Sequence, residues 1–156
     1  MLAVPDFSLP ATGGKRFELA ALRGGIVLLY FYPKDSTPGC TTEAGQFRDL
    51  FDEFVKQGCT AFGISRDSLK SHENFKEKLA LPFDLLVDSE EIACNQFAVI
   101  KMKNMYGKQV RGIERSTFLI DKNGCLAREW RAVKADGHAA LVLDAVKAVN
   151  AGATSS

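Results

Sequence analysis

The sequence has no apolar run of about 18 residues, the length a membrane-crossing helix requires, so the expectation is a soluble chain with no membrane partner. Its N-terminus, MLAVPD, lacks a basic leader followed by a long apolar core, and an unexported, cytoplasmic protein is expected. A surplus of charge is missing too. Twenty basic residues face 19 acidic ones, for a net charge of +1, which supplies no general field for holding nucleic acid or an anionic membrane. No Cys-x-x-Cys occurs, which disfavours an intramolecular dithiol exchanger. The four cysteines, Cys40, Cys59, Cys94 and Cys125, are widely spaced in a chain that does not need disulfides to fold, as suits a reducing compartment. Histidine is scarce: His72 and His138 have no carboxylate, Cys or second His at ligand spacing, so both read as solvated and no metal site is expected. No G-x-G-x-x-G follows a strand and no internal repeat is apparent, so no nucleotide cofactor is implied.

What is present is an ordinary globular composition, 46% hydrophobic and 25% charged over 156 residues. That length suits one domain, 1–156, with a substantial core. The most informative stretch runs from Ile26 to Phe54. Ile26–Phe31 is an unbroken apolar, β-favouring run, the mark of a strand buried on both faces. Pro33 ends it, and Lys34–Gly39 is turn chemistry, with Thr37 and Pro38 placed as N-cap and first residue of a helix. Ala44, Phe47, Leu50, Phe51, Phe54 and Val55 recur at three- and four-residue intervals, predicting one amphipathic helix of about four to five turns. Cys40 lies on the same stripe, in the first turn, where unpaired N–H groups and the positive end of the helix dipole gather. Both favour thiolate: helix N-termini with a cationic neighbour lower cysteine from about 8.5 to about 3.5–7.5. A single cysteine on an apolar helix face also serves simply as a small hydrophobe, and Thr37 as an ordinary cap.

Along the rest of the chain, Phe7–Leu9 and Arg16–Leu19 flank Thr12-Gly13-Gly14 and predict a hairpin. Cys59–Ile64 reads as a second buried strand after Gly58, completing a βαβ unit. Asp67 or Ser68 caps a polar helix through Leu79, Phe83–Val87 is a short strand, and Asp88–Glu91 opens a short helix. Val99 to Ile113 reads as a solvated basic loop carrying Lys101, Lys103, Lys108 and Arg111, a positive stretch able to attract anionic ligands or a partner protein. Ile113–Ile120 and Leu126–Trp130 flank DKNG, a hairpin signal. A last helix runs from about Gly137 to Val149, burying Leu141, Val142, Ala145 and Val149, and 151–156 is expected to be a frayed tail. Helices alternating with strands predict an α/β protein, a mixed central sheet with helices on both faces.

The string FYPKDSTPGCTTE (31–43), with its Pro33-x-x-x-Thr37-x-x-Cys40 spacing, resembles the active-site signature of the peroxiredoxins, and more closely their Q-type branch, the bacterioferritin comigratory proteins. VPDFSLP (4–10), GISRDS (63–68), MYGK (105–108) and GIERSTFLID (112–121) extend the resemblance over nearly the whole chain. The resemblance implies a thioredoxin-like fold with an N-terminal extension and a thiol peroxidase that needs no cofactor. It assigns Cys40 as the peroxide-attacking sulfur, Thr37 as a hydroxyl beside it and Arg115 as the lasting cation. Taken alone, an arginine at a strand start is as readily a solvated surface charge. Glu43 would orient the arginine, or stand as a first-turn carboxylate favoured by the dipole. Gly39 contributes a backbone N–H, and Pro33 stiffens the loop and shields the sulfur.

Attack leaves Cys40 as a sulfenic acid, which a second thiol captures. Q-type members place that thiol five residues on, here Gly45, or in the following helix, here around Asn74–Glu77, and neither place holds a cysteine. Cys59 and Cys125 read as structural, and Cys94 is an outside candidate reached through local unfolding. A one-cysteine cycle follows, completed by thioredoxin, glutaredoxin or a small thiol, in a monomer. A thiol–disulfide oxidoreductase and a non-catalytic thioredoxin-like holdase are the alternatives.

Overall fold

The glycines after Thr12 make the first turn: Gly13 and Gly14 take φ of 77° and 68°, a conformation open to residues without a Cβ. In this computed structural model, which describes residues 3–154, that turn joins β1 (Ser8–Ala11) to β2 (Lys15–Glu18) as an antiparallel hairpin. The apolar run forms β3 (Ile26–Phe31), all six residues buried. Helix α1 (Pro38–Asp49) and helix α2 (Phe51–Lys56) follow, then β4 (Cys59–Ser65), which pairs parallel with β3. Helix α3 (Leu69–Leu79) starts at Ser68, whose hydroxyl accepts from the Ser71 N–H, the capping geometry that a Ser at this position favours. Strand β5 (Leu85–Val87) and helix α4 (Ile92–Gln96) come next. The chain then runs through β6 (Ile100–Met105), β7 (Lys108–Ile113), β8 (Ser116–Ile120), β9 (Leu126–Trp130) and α5 (His138–Thr154).

Seven strands form one sheet in the order β2-β1-β5-β4-β3-β8-β9, with β3 between parallel β4 and antiparallel β8. Because side chains alternate across a strand, β3 feeds two cores. Ile26, Leu28 and Tyr30 join Cys40, Ala44, Phe47, Phe54, Phe75, Val142 and Val146, from α1, α2, α3 and α5. Val27, Leu29 and Phe31 join Phe62, Ile64, Phe97 and Phe118 on the other face, together with Ala93 and Cys94 of α4. The expected mixed sheet with helices on both faces is present, weighted four helices to one.

Several elements depart from the sequence reading. The long helix breaks at Leu50, whose φ/ψ of −101°/3° lies outside the helical well, and α2 restarts with a new phase that leaves Val55 outside. Residues expected as a basic loop form the two-stranded antiparallel ribbon β6–β7, outside the main sheet. Their apolar content is low because ribbon residues face water: Met102 and Val110 are exposed. The strand expected over Ile113–Ile120 is interrupted at Glu114 and Arg115, where β7 ends and β8 begins. Leu141 is exposed, while Leu143 and Val146 are buried beside Val142 and Ala145. Helix α5 continues through Thr154, so the expected frayed tail is helical over 151–154, and Ser155 and Ser156 lie outside the described residues. Among the described residues no helix is long and apolar enough to cross a membrane.

Candidate active site

The register of β3 and β8 decides what meets at the end of the sheet. Phe31, the last residue of β3, pairs with Ser116, the first of β8. The chain leaves β3 through Tyr32 and half-buried Pro33 toward α1, and Arg115 sits immediately before β8, at the same edge. Arg115 and Cys40, far apart in sequence, therefore come into contact.

Thr37 has extended backbone angles, −85° and 154°, and is the N-cap of α1, with Pro38 at the first helical position. Its hydroxyl makes no cap bond and instead donates to the Lys34 carbonyl at 2.9 Å. The hydroxyl oxygen keeps its lone pairs for another donor. Cys40 follows in the first turn, 1% exposed, and the N–H groups of this turn have no intrahelical acceptor. Cys40, Glu43, Ala44 and Phe47 form the buried face of α1, at the three- and four-residue spacing of one helical stripe.

Arg115 joins the two acids on that stripe. Its Nη2 donates to Cys40 Sγ at 3.3 Å and its Nη1 to Glu43 Oε1 at 2.7 Å. The Arg115 side chain is 15% exposed and that of Glu43 fully buried. Glu43 is thus no first-turn carboxylate at a solvated helix end. The guanidinium is placed to stabilise negative charge that develops at or beside the sulfur. Burial pushes the Glu43 carboxyl up to about 7, against the pull of Arg115. Burial works against the charge of Arg115, but Glu43 and Cys40 together hold its proton more firmly than usual. Gly39 has a steric role besides its N–H: a Cβ there would lie 3.1 Å from Arg115 Nη2.

Both histidines are buried, correcting the solvated reading. His72 extends the stripe of Phe75 and Leu79 one turn back along α3, a signal legible in the sequence. Its Nδ1 lies 2.7 Å from Asp35 Oδ2 and its Nε2 is 2.8 Å from the Leu86 carbonyl. Asp35 also accepts from the Tyr32 hydroxyl at 2.6 Å and the Ser71 hydroxyl at 2.8 Å, and its own N–H donates to Asp67 at 2.9 Å. These bonds tie the loop carrying Thr37 to α3 and the turn before it, and through His72 to β5. Burial would raise the Asp35 carboxyl, but the bonds from His72, Tyr32 and Ser71 hold it below the usual range. Asp35, Asp67 and His72 bring three ligand atoms within 4.8 Å of one another. Hydroxyl and N–H donors already occupy their oxygens, so the cluster suits hydrogen bonding rather than a cation. His138, at the start of α5, is 2.8 Å from the Thr117 hydroxyl, and burial with nearby Arg115 pushes it down to about 4.

The other cysteines stand apart. Cys59 pairs with Ile26 at the opposite end of β3, and burial pushes its thiol up to about 12. Cys125 bridges to Ala3 beyond the β8–β9 turn. Cys94 belongs to the core on the other face of the sheet, and burial with Asp88 beside it raises its thiol strongly.

A buried sulfur with a guanidinium at hydrogen-bond distance, in the first turn of a helix, is equipped for nucleophilic attack on a bond whose departing atom takes up charge. Residues 2–129 match the model of the AhpC/TSA family. The chain is 53% identical to Peroxiredoxin Bcp of Xanthomonas campestris over 143 residues, covering 92% of this chain and 89% of that one. The chain belongs to the peroxiredoxins. Peroxiredoxin Bcp of Bacillus subtilis is 49% identical, over 92% and 91% of the two chains. A solved structure of the Xanthomonas campestris bacterioferritin comigratory protein, studied for its alkyl peroxide reduction activity, superposes with a TM-score of 0.91 at 50% identity over 96% and 98% of the two chains. Among peroxiredoxins this chain therefore falls in the Q-type, bacterioferritin comigratory branch, with its thioredoxin-like fold, and it is a thiol peroxidase.

Proposed function

We propose that Cys40 reduces hydrogen peroxide and organic hydroperoxides in a one-cysteine cycle completed by an external thiol. The Cys40 thiolate attacks one peroxide oxygen, forming an S–O bond as the O–O bond breaks. The sulfur is oxidised to sulfenic acid, and the departing oxygen leaves as water or an alcohol after taking a proton from solvent. Arg115 polarises the peroxide, the Gly39 and Cys40 N–H groups add fixed donors, and the Thr37 hydroxyl oxygen accepts a hydrogen bond from the bound O–H. Pro33 limits water at the loop and Glu43 holds Arg115. The contact between Arg115 and the sulfur carries this reading.

An external thiol then attacks the sulfenic sulfur, releasing water and leaving a mixed disulfide, which a second thiol of thioredoxin, glutaredoxin or a small-thiol pool reduces. The remote placement of Cys59, Cys94 and Cys125 supports the one-cysteine form, and we place the cycle in a cytoplasmic monomer. One equivalent of peroxide followed by mass-spectrometric mapping tests it. The expected product is a sulfenic acid at Cys40 with no internal bridge, and a Cys40–Cys94 disulfide overturns the one-cysteine cycle. Thr37→Val should slow sulfenic acid formation about 10²-fold in stopped flow; an unchanged rate removes the hydroxyl from the mechanism.

A further inference from the structure

Arg115 serves two acids, and one of them is poorly provided for as an anion. Glu43 has no exposure to water, its Oε1 accepts from Arg115, and its Oε2 has no hydrogen-bond partner. A carboxylate in a protein interior needs donors at both oxygens to offset the hydration it loses. The titratable groups that face it are few. Cys40 lies on its own helix, Tyr30 on β3 and Arg115 just before β8, while His138 at the start of α5 acts on Arg115 and Asp35 in the loop acts on Tyr30. Tyr30 is neutral near pH 7, because burial, Glu43 and Cys40 push its hydroxyl well above the ordinary value. His138, pushed down to about 4, is neutral as well. Arg115 is then the one cation among these five groups, and Cys40 and Glu43 share it through its two Nη atoms.

We propose that Glu43 is a protonation-dependent positioning residue: when ionised it draws the Arg115 guanidinium toward itself, and when protonated it leaves that charge to the sulfur and the bound peroxide. The proposal rests on the roles of Cys40 and Arg115 given above. The carboxyl pushed up to about 7 places the change at ordinary working pH. As pH rises through that value Glu43 ionises, less of the guanidinium charge reaches the peroxide, and each thiolate reacts more slowly. A group that touches no reacting atom would in this way set the alkaline side of the pH profile.

The test compares the rate of Cys40 sulfenic acid formation with hydrogen peroxide in the wild type and in Glu43→Gln, from about pH 6 to about pH 8.5. The substituted amide is not ionisable but can still accept from Arg115, and pH-dependent steps common to both proteins cancel in the ratio of their rates. The ratio of wild-type to variant rate should fall about threefold to tenfold across that range, a fraction of what deleting a preorganised donor costs. A ratio that is constant, or that rises with pH, overturns the proposal while leaving the peroxidase reading intact. Peroxide turnover surviving in Cys40→Ser would instead overturn both. Should the Glu43→Gln variant not fold, isotope-edited infrared spectra of wild type labelled at glutamate carboxyls give the same decision. A buried protonated carboxyl band is expected at the lower pH and lost at the higher. Its absence at both counts against the proposal.

Discussion

Gly39 stands where any side chain would press on the guanidinium that serves the sulfur, since a Cβ at this position would lie 3.1 Å from Arg115 Nη2. Its φ is not in the left-handed region, so space and not backbone freedom makes glycine fit. Gly39→Ala should shift Arg115 by a few tenths of an ångström and slow sulfenic acid formation by about threefold to tenfold, since small misplacements of catalytic groups are costly. Thermal stability should be nearly unchanged; stopped-flow fluorescence and a melting curve on the same sample check both. Cys40 and Thr37 were legible from the strand, turn and capped helix around them, which are local features. Arg115 was not legible from physics, because its partners lie 72 and 75 residues away, and only its motif singled it out. The Asp35–His72 tie spans 37 residues and left a single trace, the position of His72 on the stripe of α3.

Strands and helices set how firmly that site is held. Strand β3 was readable with its bounds, since the six consecutive β-favouring apolar residues that follow Gly25, with Pro33 close behind, leave little else for it to be. Helix α1 places Cys40 and Glu43 on one buried stripe, so the proposed nucleophile and the carboxyl bonded to Arg115 are fixed relative to one another by one helix. Behind them, Gly63 of β4 lets the Tyr30 ring and Leu85 come close: a Cβ would meet both at 2.8 Å. Gly63→Ala should therefore cost about 1–3 kcal/mol, the range for overpacking a well-filled core. Urea denaturation at fixed pH measures it, and a loss below about 0.5 kcal/mol would show that Tyr30 yields easily. The break at Leu50 and the β6–β7 ribbon escaped the sequence reading because neither carries the periodicity that marks an element with one buried face. The ribbon pairs with itself, outside the main sheet, with most of its side chains in water.

Two buried groups at this site pull the stability of the whole molecule in opposite directions with pH. His138 is held near 4 in the fold against 6.5 ordinarily, so its contribution is complete above about 6.5 and is lost as pH falls toward 4. Glu43 is held near 7 against 4.5, so its contribution is complete below about 4.5 and is lost as pH rises toward 7. Between about 4.5 and 6.5 the two slopes, each at most about 1.4 kcal/mol per pH unit, oppose one another. Wild-type stability should be nearly flat there. Glu43→Gln should make it rise with pH and His138→Asn should make it fall, as read by urea denaturation at several pH values. Parallel curves for all three proteins would show that neither group is held as described.

The sequence by itself determined the buried strand, the capped helix with its cysteine, the absence of a second cysteine at either usual position, and the alternation that makes an α/β sheet. Each of these is written in neighbouring residues, through side-chain period, turn chemistry and helix-end polarity. Only the tertiary structure decided that Arg115 reaches the sulfur, that Glu43 and His138 are buried, and that Cys94 lies across the sheet. Those outcomes depend on strand order and register, which bring distant segments to one edge or separate them onto opposite faces, and no local pattern encodes them.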